Sequence, residues 1–390
     1  MAGHSNPDYL IFGAPALGEE ELDEVIACVR SGWLGTGPRV KRFEADFAAY
    51  KGVDASLAAG VNSCTAALHV AMVAAGLDEG AEVITTPMTF CATVNAVIHS
   101  GLTPVLADVD PVTQCIDPRA IEAAITPRTQ AIIPVHFAGR PCDMDAIMAI
   151  AAKHGLVVIE DCAHAIETEY RGRKAGTFGD FGCFSFYATK NVATGEGGMI
   201  LARDPERMAR ARILALHGMS KDAWHRFSDK GYKHYDVVEA GFKYNMMDLQ
   251  AAIGIHQLAK VERHWRRRLE IWNGYLDAFA DLPIDLPAPF EPDTRHGLHL
   301  FTIGVNPTRC GLDRDGVILR MHEAGIGTGV HYRSIAEHPH YQERFGWHPE
   351  QWPEALAVGR STLSLPLSPA LADGDAKRVT TNVTKVLQSN

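Results

Sequence analysis

A chain of 390 residues exceeds one ordinary core and suggests two or three folding units at about 150 residues each. Its 46% hydrophobic and 22% charged residues are those of a globular protein, and a formal net charge of -10 excludes non-specific binding to a phosphate backbone, so no nucleic-acid partner is expected. The eight cysteines stand singly with no C-x-x-C pair, the N-terminus lacks a basic segment followed by an apolar one, and no apolar run is long enough to span a bilayer; reduced thiols, no membrane partner and a cytoplasmic location are expected.

In chain order, Glu19 to Arg30 sets Leu22, Val25, Ile26 and Val29 at helical spacing, and Ser31-Gly32 stops the run. Asn62-Ser63-Cys64-Thr65 then enters an Ala-rich helix predicted over Thr65 to Ala75. A helix start gathers free N–H groups and the positive end of the helix dipole, so it can hold an anion, with the Ser63 and Thr65 hydroxyls as further donors. Simple capping would account for the same residues.

Short apolar runs at Glu82 to Thr86, Pro104 to Ala107, Ala131 to Val135, Leu156 to Glu160 and Gly197 to Ala202 read as strands. Helical patterns at Ala92 to His99, Pro118 to Ile125 and Asp143 to His154 separate them. Consecutive apolar positions mark strands buried on both faces, so the fold class is α/β, with a mostly parallel sheet between helices. Phe90, at a strand end, can stack on a flat ring or belong to the core. Asp161 stands where open α/β sheets place ligands, although it could also cap the next helix. His164 follows three residues later on the same side of a local turn.

Ser185-Phe186-Tyr187-Ala188-Thr189-Lys190-Asn191 closes this region. A lysine amine that can form a Schiff base, a carboxylate that can keep a pyridine nitrogen protonated and a hydroxyl for a phosphate are the needs of pyridoxal 5′-phosphate. Farther on, a helical pattern runs from Met247 to Ala278, and the run Arg266-Arg267-Arg268 on it reads as a solvated face. The Pro-rich stretch Leu282 to Pro289 marks a linker or domain edge. Leu300 to Val305, a helix near Asp313 to Glu323, and Gly325 to Tyr332 suggest a smaller C-terminal α+β domain. The expected division is 1–260 for the large domain and 261–390 for the small one. His331, His338 and His340 lack a matching Cys or carboxylate cluster, so no metal is expected.

Five segments in one order, Asn62 to Ala67, Glu160 to Ala165, Ser185 to Asn191, Glu196-Gly197-Gly198 and Gly241 to Asn245, resemble the nucleotide-sugar aminotransferases of the aspartate-aminotransferase superfamily (fold type I). Within them the chain resembles the 4-amino-4-deoxy-L-arabinose aminotransferase branch, from Gly32 to Pro38 through to Ser364-Leu365-Pro366-Leu367. His217-Gly218, Asp222-Ala223-Trp224 and Gly327 to Arg333 extend the likeness into segments that would face the substrate.

The resemblance implies that Lys190 carries pyridoxal 5′-phosphate and shuttles the proton, with Asp161 on the ring nitrogen, His164 by the phenolic oxygen and Phe90 against the ring. Ser63, Cys64, Thr65 and Ser185 would hold the phosphate, and Asn245 would reach the phosphate of a neighbouring subunit, which implies a homodimer with shared active sites. Glutamate would leave as 2-oxoglutarate with pyridoxamine phosphate between the half-reactions, and the acceptor would be a UDP-4-keto-pentose or dTDP-4-keto-6-deoxyhexose. His331, Tyr332 and Arg333 are the candidates for sugar or diphosphate contacts, against a strand end packed at the domain edge.

Close members of the family often have Trp at Phe90 and Ala at Cys64 and Cys162; each change keeps the physical role, and the first alters the volume beside the ring. Related sugar dehydratases carry His in place of the Schiff-base lysine, and Lys190 argues against them. A 3-keto-sugar or aminocyclitol aminotransferase, and a non-enzymatic ligand-binding or regulatory protein of the same fold, remain open.

Overall fold

The computed structural model describes residues 8–220 and 234–388. The first helices are α1 (Glu19–Ser31) and α2 (Pro38–Lys51), followed by β1 (Ala58–Val61) and α3 (Cys64–Ala75). Next come β2 (Glu82–Thr85), α4 (Cys91–His99), β3 (Thr103–Leu106), α5 (Pro118–Ala124), β4 (Thr129–Ile132), α6 (Met144–His154) and β5 (Val157–Asp161). A small hairpin, β6 (Glu169–Tyr170) and β7 (Arg173–Lys174), precedes β8 (Phe181–Ser185), β9 (Gly198–Ala202), α7 (Pro205–Ala215) and α8 (Asp248–Phe279).

Seven strands make one sheet in the order β1-β9-β8-β5-β4-β2-β3. Strand β9 is antiparallel to both neighbours, and all other pairings are parallel. The carboxyl ends of β1, β2, β4, β5 and β8 therefore lie along one edge. The expected α/β class and mostly parallel sheet are observed. Strands β1 and β8 and helices α2 and α7 were not anticipated, and β4 begins and ends earlier than the predicted Ala131 to Val135.

Alternation along β9 shows why the strands are apolar on both faces. Met199 and Leu201 join a cluster with Phe43, Phe47, Phe184, Phe186 and Ile255, under α2 and α8. Ile200 and Ala202 join the opposite cluster, with Leu68 and Met72 of α3 and Met208 and Leu214 of α7. Each large side chain buried this way contributes about 1.5–3 kcal/mol.

Helix α8 has 32 residues, a length of about 48 Å, and serves two cores. Ala251, Ile255 and Leu258 pack on the large sheet's cluster, whereas Ile271, Trp272, Tyr275 and Phe279 pack on Phe301 and Ile303. The helix runs unbroken through residues 260 and 261. The second core also contains a three-stranded antiparallel sheet. Its strands are β10 (Ile284–Asp285), β12 (Phe301–Val305) and β13 (Thr362–Leu365), in the order β10-β12-β13, while β11 (Thr294–Arg295) extends the β6-β7 hairpin. Helices Arg314–Glu323 and Asp373–Gln388 cover it through Val317, Met321, Val379 and Val383.

The arginine run on α8 is not a solvated face throughout. Arg268 is 1% exposed and donates to Glu167, and Arg267 bonds Asp373 and the Leu371 carbonyl; only Arg266 is exposed. Adjacent helical residues point about 100° apart, so three consecutive arginines cannot share one environment. All eight cysteines are free, seven of them buried. No helix among the described residues is long and apolar enough to cross a membrane.

Candidate active site

The carboxyl ends of the strands open on a cavity of about 570 Å³. Ser63, Cys64, Thr65, Phe90, Asp161, His164, Ser185, Lys190, His331 and Tyr332 all line it. Asn245 and Arg333 do not. The Asn245 amide donates to Thr36 Oγ1 at 2.6 Å, and its oxygen accepts from Lys243 Nζ at 2.6 Å. Arg333 is exposed and donates to the Glu337 carbonyl at 3.0 Å. His217 and Gly218 also lie outside this cavity, against Phe242 and Glu239, and Asp222, Ala223 and Trp224 lie outside the described residues. A larger cavity of about 660 Å³ beside α2, lined by residues such as Trp33, Pro38, Val40 and Ile213, lacks such a set of reactive groups.

The start of α3 forms one wall. Ser63 is its N-cap and accepts from the Ala66 N–H at 3.1 Å, and no acidic residue occupies the first turn. The N–H groups of Cys64 and Thr65 thus remain for an anion, with the helix dipole behind them. Gly198 permits this placement. A Cβ there would stand 2.5 Å from the Ser63 carbonyl carbon, so only glycine lets β9 run so close to the turn.

Asp161, at the end of β5, is 4% exposed. Burial raises its pKa, against hydrogen bonds from Thr93 (Oγ1 to Oδ2, 2.7 Å) and the Ala163 N–H (to Oδ1, 3.1 Å) and the charge of Lys190. Burial pushes the Lys190 amine down to about 8, with Cys64 and Asp161 opposing the shift. The pair therefore couples a buried carboxylate to an amine that can exchange its proton near neutral pH.

His164 is neutral in this setting, because burial, and beside it the charge of Lys190, hold its pKa well below the ordinary value. The Ala138 N–H donates to Nδ1 at 3.2 Å, which places the ring's proton on Nε2. That proton meets the Tyr332 hydroxyl oxygen at 3.0 Å, and the two rings stack at 5.9 Å and 18°. Phe90, 58% exposed, tilts against Tyr332 at 6.0 Å. His331 bonds Ser364 Oγ at 2.8 Å, and burial with the Lys190 charge pushes its pKa down to about 4.

Sequence reasoning missed several members. Thr89, Thr93, Tyr187, Thr189 and Glu196 also line the cavity. Behind it, His299 packs on His164 at 4.3 Å and donates from Nδ1 to Asn191 Oδ1 at 3.0 Å. Asn191 Nδ2 in turn donates to Glu167 Oε2 at 2.7 Å, which leads to Arg268. Asn191 lay inside a recognised segment, but its partners are distant in sequence and carry no local pattern.

His136, Glu160 and Cys162 bring one ligand atom each within 4.8 Å of one another. The lone pairs of Glu160 and His136 are already engaged. Glu160 accepts from His136 Nε2 and from the N–H groups of Gly176, Phe178 and Gly179, while His136 Nδ1 accepts from the Cys142 N–H. Glu160 and His136 form a hydrogen-bonded knot, with Cys162 beside it.

Residues 15–384 match the DegT/DnrJ/EryC1/StrS aminotransferase family. The chain is 48% identical over 373 residues to the spore coat polysaccharide biosynthesis protein SpsC of Bacillus subtilis (strain 168), covering 95% of each. Its structure is similar to that of the aminotransferase TlmJ from Streptoalloteichus hindustanus, with 33% identity, a TM-score of 0.89 and coverage of 97% of this chain and 99% of that one. Spr1654 of Streptococcus pneumoniae, assigned as a sugar aminotransferase, matches in its PLP-form with 30% identity, a TM-score of 0.89 and coverage of 98% and 99%; a PMP-form of it is also similar.

Proposed function

The chain belongs to the DegT/DnrJ/EryC1/StrS aminotransferase family, and from that premise we propose that it moves an amino group from glutamate to position 4 of a nucleotide-linked keto-sugar, using pyridoxal 5′-phosphate. One observation carries the reading: Lys190, Asp161, His164 and the start of α3 converge on one cavity. The donor set fits a flat, phosphorylated aldehyde. A phosphate would meet N–H groups with no acid beside them, an aldehyde would meet an amine of lowered pKa, and a ring nitrogen would meet a buried carboxylate. A phosphate next to an acidic first turn, or an aldehyde next to a fully hydrated lysine, would not be so placed.

When bound, the cofactor supplies the electron sink that stabilises a carbanion at the substrate carbon. This chain's residues do the rest. Cys64 and Thr65 N–H groups and the Ser63 and Ser185 hydroxyls would hold the phosphate. Asp161 Oδ1, with one hydrogen bond from Ala163, keeps a lone pair for a ring N–H. His164 would serve the phenolic oxygen by turning its Nε2–H from Tyr332 to it, and Phe90 would cover the ring. Lys190 Nζ gives and takes the proton, because near pH 8 both of its forms are populated.

Position 4, the nucleotide and glutamate rest on the motif resemblance to the arabinose branch, and the sugar class agrees with the polysaccharide role printed for SpsC. His331, Tyr332 and Arg333 are proposed to meet the sugar or diphosphate. A homodimer in the cytoplasm is also proposed, with Asn245 serving the neighbouring subunit's phosphate. Residues 1–260 and 261–390 are proposed as the large and small folding units. Mixed dimers carrying Lys190→Ala on one chain and Asn245→Ala on the other should recover one complete site; no recovery removes the shared-site reading.

The deciding experiment is a panel of UDP- and dTDP-linked 4-keto and 3-keto sugars and a keto-inositol, each with glutamate, following 2-oxoglutarate release. Turnover confined to 4-keto nucleotide sugars is expected. Turnover only with a 3-keto sugar or keto-inositol would move the chain to another branch, and no turnover together with no cofactor uptake would favour a binding protein.

A further inference from the structure

Asp161 Oδ2 has one side-chain donor, Thr93, and Thr93 has a neighbour of its own. The Thr89 and Thr93 hydroxyls lie 2.7 Å apart, and both residues are nearly sealed from solvent, at 2% and 1% exposure. The order of donation follows from chemistry. An ionised carboxylate only accepts, so Thr93 donates its proton to Asp161, and its oxygen must then accept from Thr89. Two hydroxyls thus point in series at one carboxylate oxygen.

We propose that Thr93, backed by Thr89, is a positioning residue for Asp161: its hydroxyl fixes the rotation of the carboxylate and keeps it ionised, which turns Oδ1 toward the cavity as the acceptor for the cofactor's ring nitrogen. This deepens the pyridoxal 5′-phosphate reading and rests on it. Thr93 stands in the first turn of α4, anchored in the core by Val94, Ala96 and Val97, so the hydroxyl is delivered by a rigid element and not by a loop. Asp161 Oδ1 is held from its own strand end by the Ala163 N–H. Without Thr93, the Ala163 N–H is the one hydrogen bond left to offset burial, with the charges of Lys190 and His136 helping from outside the carboxylate. The carboxyl then takes up a proton at higher pH, and a protonated carboxyl cannot pair with a ring N–H cation.

Neither threonine reads as functional from the sequence, because Thr93 and Asp161 are 68 residues apart. Valine has nearly the shape of threonine and no hydroxyl, so Thr93→Val removes the donor and keeps the packing; Thr93→Ser keeps the donor and removes a methyl. The test titrates pyridoxal 5′-phosphate into the full-length apo-protein between pH 5 and 9, reading the visible absorbance of the bound cofactor, with the thermal midpoint of each variant as a folding control.

Thr93→Val should weaken binding roughly tenfold near neutral pH, the loss of one hydrogen bond to a charged group, and should move the acid limb of binding to higher pH. Thr93→Ser should restore both, and Thr89→Val should move both in the same direction by less. Unchanged affinity and an unmoved acid limb in Thr93→Val would overturn the assignment. So would equal losses in the Val and Ser variants, which mark a packing role. If the wild-type protein takes up no cofactor, the cofactor reading fails first and this inference with it; wild-type uptake with an indifferent Thr93→Val removes the inference alone.

Discussion

Glu160 and Asp161 are neighbours at the end of one strand, both buried, and their surroundings are opposites. Burial alone would raise the pKa of Glu160, but His136 and the N–H groups of Gly179 and Gly176 bring it below the ordinary carboxylate value. Four donors saturate it. Asp161 has two donors and a pKa that burial keeps raised. Alternation along β5 sends consecutive side chains to opposite faces, so one carboxylate becomes part of the scaffold while the next keeps acceptor capacity toward the cavity. A fully satisfied buried charge holds a fold together, whereas a partly satisfied one beside a lysine is a chemical resource.

The largest effect should come from the group that shares the cavity with Asp161. Lys190→Ala is expected to lower transamination by roughly a thousandfold or more, since the proton carrier is lost, with no loss of thermal stability. Turnover near the wild-type rate, measured as 2-oxoglutarate release, would break the assignment.

The two carboxylates themselves should separate cleanly. Glu160→Gln places an amide NH₂ among four donors and should cost about 3–5 kcal/mol, the scale for breaking a buried charged network, read as a lower thermal midpoint. Its sign with pH is fixed. A lowered carboxylate pKa contributes stability above the unfolded value, and that stability is lost as pH falls through the folded one, so the deficit relative to wild type narrows in acid. Asp161→Asn should do the reverse. The raised pKa means that ionising Asp161 works against the apo-fold as pH rises, so the amide should leave the apo-protein no less stable at neutral pH. Cofactor affinity should fall roughly a hundredfold in that variant. A large stability loss in Asp161→Asn, or a cofactor defect in a folded Glu160→Gln, would erase the distinction.

The same contrast explains what could be read from the sequence. Lys190, Asp161, His164 and Ser63 were legible because each closes a short local pattern, an apolar strand or a helix start. Thr93, His299 and the His164–Tyr332 bond were not, since the last joins residues 168 apart and only folding brings them together. Strand β1, Ala58-Ala59-Gly60-Val61, is short and rich in residues of weak strand propensity, and Gly182 interrupts β8, so neither announces itself. Helix α2 opens with Pro-Arg-Val-Lys-Arg, whose charges hide the buried Phe43 and Phe47. Arg268 was misread because a run of arginines looks solvated until its buried partner Glu167 is known.

The smallest expected effect is a displacement along the pH axis, and it draws the line between the two carboxylates most finely. Only the neutral amine of Lys190 attacks an aldehyde, and burial sets its pKa near 8. Cofactor uptake by the apo-protein, followed by stopped-flow absorbance, should therefore accelerate about tenfold per pH unit below that value and level off above it, whereas a lysine in open water would keep accelerating to about pH 10.4. Asp161 stabilises the ammonium form, so Asp161→Asn should move the break to lower pH. Glu160 is one residue away in sequence, but it faces the knot, and the groups that oppose the burial shift of Lys190 are Cys64 and Asp161. Glu160→Gln should leave the break where it is. A break that moves equally in both variants would mean that the two carboxylates act on the amine through general field alone, and that strand alternation does not separate them.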